Sequence, residues 1–154
     1  MRNHIIRMFE HVGWADRKIV DALQSVPNPP ETAVDLFAHV LAAEKVWLSR
    51  LTETDCSQYP IWPKLSPEQC ARLAHDNHKG YNIYLGSITD NDLQKIVSYR
   101  TSSGIEFDTA VIDILTHVSL HGAYHRGQIS SGLRSGGFEP VSTDYILFVR
   151  QLEL

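Results

Sequence analysis

The chain has 154 residues, 43% of them hydrophobic, enough for one sizeable core and short enough to point to a single domain over residues 1–154. Its 14 Lys and Arg against 18 Asp and Glu leave a formal charge of −4, and no basic cluster interrupts that balance, so nucleic acid is excluded as an expected partner. No window approaches about 18 uninterrupted apolar residues, and the opening MRNHIIRMFEHVGWADRK lacks the apolar core and cleavage site of a signal peptide; a cytoplasmic protein with no membrane partner is expected.

Taken in order, the first segment repeats Ile5, Met8, Phe9, Val12, Ile19, Ala22, Leu23 and Val26 at helical spacing over Arg2 to Ser25. Pro27, Asn28, Pro29 and Pro30 end it, because proline lacks the amide donor and its ring clashes with the preceding turn. A second helix starts at Glu31 or Thr32 and runs to Leu51, with Leu36, His39, Ala43, Val46 and Trp47 on its apolar side. ETDCSQYPIWPKL reads as an ordered crossover in which Ile61 and Trp62, bracketed by Pro60 and Pro63, pack over a helix end or a pocket rim.

Ser66, Pro67, Glu68 and Gln69 form an N-cap, a first-turn proline and a capping box, so the third helix is predicted from here to about Ser87. Gln94 to Tyr99, the Ser-Ser-Gly at 102–104 and Ile105 to Phe107 predict a hairpin or an extended loop. The fourth helix is predicted from a cap at Asp108 or Thr109 to Arg134, stopped by the Ser-Gly-Gly that follows. A short last helix follows a cap at Ser142 or Thr143. The fold class is therefore all-α, a four-helix bundle with a small extended or hairpin insertion before the fourth helix and a short C-terminal helix.

Cys56 and Cys70 are too few and too widely spaced for a CxxC motif and read as free thiols in packing roles. The histidines carry more. In THVSLHGAYHRGQ, His117, His121 and His125 follow at four-residue intervals, so each imidazole turns only about 40° from the last. His121 and His125 have Cβ atoms about 6 Å apart, a spacing that suits two ligands on one ion.

Leu120, His121, Tyr124, His125 and Gln128 would form the inward stripe, where unpaired polar groups cost on the order of 1–3 kcal/mol each, and a metal would satisfy the imidazoles. Gly122 and Gly127 inside this helix point to close approach of a partner, whether ligand or neighbouring helix.

A third donor should come from a facing helix, and His39, mid-helix on an apolar face, is the best placed. His117 lies about 12 Å from His125 along the axis, too far to share the ion, and reads as packing or support. His4, His11, His75 and His78 read as surface or boundary residues. Glu44, turned about 140° from His39, reads as solvated. Tyr124 and Gln128 could orient a ligand and Arg126 could bind an anion or a surface partner, with packing and solvation as the plain alternatives. Trp14, Trp47 and Trp62 could furnish an interface, with core packing as the plainer reading of each.

His39 with LAAEKVWL, the run HVSLHGAYHRGQI, the closing EPVSTDY and the first-helix WADRKIVDAL together resemble the DinB-like (DinB/YfiT-like) family of metalloenzymes, over essentially the whole chain. The resemblance implies an up-down-down-up four-helix bundle, a homodimer, and a divalent metal, zinc or nickel first and iron or manganese next, held in an open site by His39, His121 and His125. Relatives include thiol-dependent S-transferases and isomerases that use low-molecular-weight thiols. The expected function is metal activation of a small thiol for transfer to an electrophile, with a metal-dependent hydrolase or a non-catalytic, metal-stabilised dimer as alternatives. The family's damage-inducible name implies no DNA polymerase or DNA-binding activity.

Overall fold

The structure is a computed structural model that describes residues 1–101 and 103–152. It is mainly helical: α1 (Arg2–Ser25), α2 (Glu31–Leu51), α3 (Pro67–Ser87), a 3-10 turn (Asn91–Gln94), β1 (Ile96–Arg100), β2 (Glu106–Ala110), α4 (Val111–Ser135) and α5 (Tyr145–Gln151). Helix α2 packs against α4 and α3, and α1 packs against α3 and α4. One apolar cluster, with Ile19, Phe37, Leu41, Ile129 and Leu133, fills the end near the α1–α2 turn; a second, with Phe9, Tyr81, Leu93, Leu115 and Val118, fills the end near the hairpin.

Local chemistry accounts for most boundaries. The Ser66 hydroxyl accepts from the Gln69 amide while the Gln69 side chain accepts from the Ser66 amide, the reciprocal cap expected at the start of α3. Gly137, at φ +81°, takes the left-handed conformation after α4, where its amide donates to the Arg134 carbonyl.

The insertion is a two-stranded antiparallel hairpin in the register Ile96↔Ala110 to Arg100↔Glu106. Of the expected turn at 102–104, Ser102 lies outside the described residues. The second strand is longer than expected and delays α4 to Val111, because Asp108 and Thr109 do not cap the helix. Asp108 accepts from Ser98 and Thr109 pairs with the Tyr99 hydroxyl, so both side chains belong to the hairpin. Helix α5 begins after Asp144 rather than after a Ser142 or Thr143 cap. The Thr143 carbonyl instead accepts from the Nε2–H of His11, at 2.8 Å.

That contact corrects the expectation of a boundary role for His11. It is buried, in contact with Trp14, Tyr145 and Phe148, and ties α1 to the C-terminal segment. Burial holds its pKa below the ordinary value. Glu44 is corrected as well. It does turn away from His39, but α2 is covered on most sides, so the opposite face meets the interior rather than water.

There Glu44 joins a buried polar knot to which all four long helices contribute: Asp16 from α1, Glu44 from α2, Asn77 from α3 and Arg126 from α4. Arg126 Nη1 donates to Asp16 Oδ1 at 2.8 Å, and Asn77 Nδ2 donates to Glu44 Oε2 at 3.1 Å and to the Leu41 carbonyl at 2.8 Å. Arg126 is thus a core ion-pair partner, the packing alternative of the sequence reading rather than an exposed anion or partner contact. Gly122 leaves room for it, since a Cβ there would lie 2.7 Å from Arg126 Nη1 and the guanidinium would have to shift. A Cβ at Gly127 would meet nothing within 4 Å among the described residues, so no neighbouring helix makes a close approach there.

Candidate metal centre

Helix α4 does not turn its whole histidine stripe inward. Val111, Ile114, Leu115, Val118, Gly122, Ile129 and Leu133 face the core, while Leu120 and Tyr124 are 62% and 67% exposed and Gln128 is also exposed. His121 and His125 sit between these two faces, half-buried at the rim of the α2–α4 contact. His39 meets them from the middle of α2, itself buried. A ligand atom from each of the three lies within 4.8 Å of the others, close enough for one metal ion, and among the described residues no other group of three donors converges in this way. The imidazole centroids are 5.1 Å (His39–His121), 5.0 Å (His39–His125) and 4.5 Å (His121–His125) apart.

The surroundings orient two of the rings through outer acceptors. His39 Nδ1 lies 2.8 Å from the Ile61 carbonyl, which can only accept, so Nδ1 carries the proton and Nε2 keeps its lone pair. His125 Nδ1 lies 2.6 Å from Gln128 Oε1, one helical turn on, and is fixed in the same sense. Such outer acceptors set ring orientation and raise imidazole basicity. Burial, then the neighbouring imidazoles, pushes the His121 pKa down to about 4. Burial also lowers His39, with His125 adding to the effect. The donor chemistry therefore fits a divalent cation that prefers nitrogen ligands.

Trp62 is the residue whose role the sequence left most open. It is 59% exposed rather than buried, yet its ring stacks on His39 with a 3.8 Å centroid separation and a 6° interplanar angle. Pro60 and Pro63 limit the backbone on either side, so the crossover delivers the Ile61 carbonyl and the Trp62 ring to the same imidazole. Of the other tryptophans, Trp14 and Trp47 are half-buried.

His117 lies outside the converging triad, as its axial separation from His125 suggests. It packs against Trp47 and His121, at 5.3 and 5.4 Å. His4 and His75 are exposed and His78 is half-buried. Both cysteines are free; burial raises the Cys70 thiol to about 11, which removes it as a nucleophile. Gln128 was read in the sequence as a stripe residue that could orient a ligand; its i, i+3 spacing from His125 was the readable sign of a supporting partner. The Ile61 carbonyl had no such sign, because a backbone acceptor leaves no trace in residue type.

A mainly helical protein with a three-histidine cluster between two of its helices is the class that fold and site define. The chain belongs to the DinB family, whose sequence model matches residues 1–152. It is 48% identical over 167 residues to Protein DinB of Bacillus subtilis (strain 168), covering 97% of this chain and 95% of that relative. In fold it is similar to a DinB-like protein from Bacillus cereus ATCC 10987, known from a crystal structure, with a TM-score of 0.63 at 17% identity over 90% of this chain and 94% of that one.

Proposed function

We propose that His39, His121 and His125 hold one divalent metal ion, zinc or nickel first and iron or manganese next, in a protein that activates a small thiol for transfer to an electrophile. The convergence of three ligand atoms within 4.8 Å is the observation that carries this reading. When bound, such an ion acts as a Lewis acid that makes a thiol available as thiolate at neutral pH. The protein's own part is to favour the neutral form of His39 and His121 by burial, to aim His39 and His125 through Ile61 and Gln128, and to cover His39 with Trp62. Three protein donors leave a coordination position for substrate. In the transfer the thiol proton goes to solvent, a carbon–sulfur bond forms, and the leaving group departs with the electrons of the bond it gives up.

The reading extends to the architecture: one domain, an up-down-down-up four-helix bundle, and a cytoplasmic homodimer without nucleic-acid or membrane partners. The long 52–66 crossover between α2 and α3, and the pairing of α1 with α3 and of α2 with α4, support the bundle order. No helix among the described residues is long and apolar enough to cross a membrane.

The test is elemental analysis of untagged protein beside His39→Ala, His121→Ala and His125→Ala, followed by a thiol-consumption assay with small electrophiles. About one ion per wild-type chain, lost in each variant, is expected. Wild-type metal content in all three variants would overturn the site. Metal-dependent melting without thiol turnover would favour a metal-stabilised dimer, and ester cleavage without thiol would favour a hydrolase.

A further inference from the structure

Three turns beyond His39 on α2 lies Arg50. Eleven residues separate them, so Arg50 returns to within about 20° of the same helix face, about 16 Å further along the axis. Its side chain leans back toward the helix N-terminus, as helical side chains do, and so toward the histidines. The guanidinium carbon sits 4.4 Å from the Trp47 ring and 4.5 Å from the Tyr99 ring, in the corner of two rings that meet at 80°.

These contacts hold the cation without neutralising it. Among the described residues no carboxylate lies within ion-pair distance of Arg50. With those residues its guanidinium makes one hydrogen bond, a long one of 3.5 Å from Nη2 to the Arg100 carbonyl, and its Nε is buried with no partner among them. The neighbouring Arg100, by contrast, is paired with Glu106.

Arg50 lines a cleft of about 840 Å³ between the end of α2, the crossover and β1. Ile61, whose carbonyl fixes His39, lines the same cleft. A row of rings joins the two places along the α2–α4 contact: His121 to His117, then His117 to Trp47, on which Arg50 rests. Ring contacts therefore link the histidine cluster to a cation that has no counter-ion among the described residues, while the cleft itself is lined by Arg50, Tyr99 and Ile61.

We propose that this cleft is a carboxylate-binding subsite, in which Arg50, held by Trp47 and Tyr99, takes the acid group of an elongated small molecule whose other end reaches the histidine cluster. Guanidinium presents paired N–H donors that match a carboxylate in plane. Glu53 and Asp55 also line the cleft and oppose a dianion more strongly than a single negative charge, which selects a carboxylate over a phosphate monoester. The placement of the other end rests on the metal reading above; the acid contact does not.

The probes are ω-mercaptoalkanoic acids of roughly six to ten carbons, which suit the axial gap once the Arg50 side chain that leans back toward the histidines shortens it, their methyl esters and the matching phosphonates. Binding is measured by calorimetry to zinc-loaded and to metal-free protein. The acid of best length should bind about tenfold or more tightly than its ester, the loss expected when a charged hydrogen bond is removed. Arg50→Gln should equalise acid and ester while retaining wild-type zinc content, and Arg50→Lys should recover only part of the preference because it keeps charge without the fork. Tyr99→Leu, which spares the charge, should weaken the preference if Arg50→Gln proves poorly folded.

Equal binding of acid and ester by wild type, an acid preference that survives in folded Arg50→Gln and in Tyr99→Leu, or tighter binding of the phosphonate would each overturn the subsite. Failure of the metal reading is separable: the acid-over-ester preference would then persist in metal-free protein while the thiol head added nothing.

Discussion

Adjacent residues on α4 serve opposite environments. Arg126 points into the interior and His125 to the rim, as expected of neighbours about 100° apart on a helix. Each belongs to a polar cluster assembled from more than one helix. The interior one, Asp16, Glu44, Asn77 and Arg126, uses charge-assisted pairing to satisfy itself in part: Glu44 Oε1, Asn77 Oδ1 and Arg126 Nε and Nη2 have no partner among the described residues. The rim cluster does the reverse. His39 and His125 spend one ring nitrogen on a protein acceptor and leave the other uncommitted, with a ligand atom of each within 4.8 Å of the others in the cluster. A polar residue inside a helical protein is therefore no sign of a site by itself; unspent donors converging on one accessible point are.

The comparison breaks first at Arg126. Arg126→Met leaves the Asp16 carboxylate buried without its cation and should cost about 3–5 kcal/mol of stability, read by urea unfolding; a loss as small as that of a surface change would mean that the knot does not hold the helices together. The rim should respond in function and not in stability. Gln128→Leu removes the acceptor from His125 Nδ1 and should weaken zinc binding roughly 10- to 100-fold in a chelator competition, with stability within about 0.5 kcal/mol of wild type.

The subtlest difference is in pH. Burial, reinforced by the Asp16 charge, raises the Glu44 pKa well above its ordinary 4.5. The folded chain thus keeps a proton that the unfolded chain releases. The stability contributed by Glu44 is fully present below about 4.5 and is lost as pH rises through the folded value. Glu44→Gln should flatten that decline in urea midpoints measured from mildly acidic to alkaline pH, and an unchanged slope would show that Glu44 is not the group responsible.

Much of the helical layout was legible because helix signals are local. Proline at 27, 29 and 30, the Ser66–Gln69 box and the glycines at 136 and 137 act within one or two turns, and all fall at helix ends. The His39, His121 and His125 grouping was also legible, since i, i+4 spacing sets one side of the cluster and a facing helix supplies the third ring. The start of α4 was not. Asp108 and Thr109 suit a helix cap as well as a strand, and only their partners Ser98 and Tyr99 decide between the two.

Residue order by itself determined the helices, the chemistry of the three imidazoles and the family. Tertiary structure decided which polar residues are sealed and which are open. It turned Glu44 and Arg126 inward to each other's neighbourhood, brought the Ile61 carbonyl and Trp62 over His39, and set Arg50 in its aromatic corner with no counter-ion among the described residues. The physical reason is that helical periodicity specifies the angle at which a side chain leaves its own axis, whereas burial depends on what lies opposite, and that is supplied by chain distant in sequence.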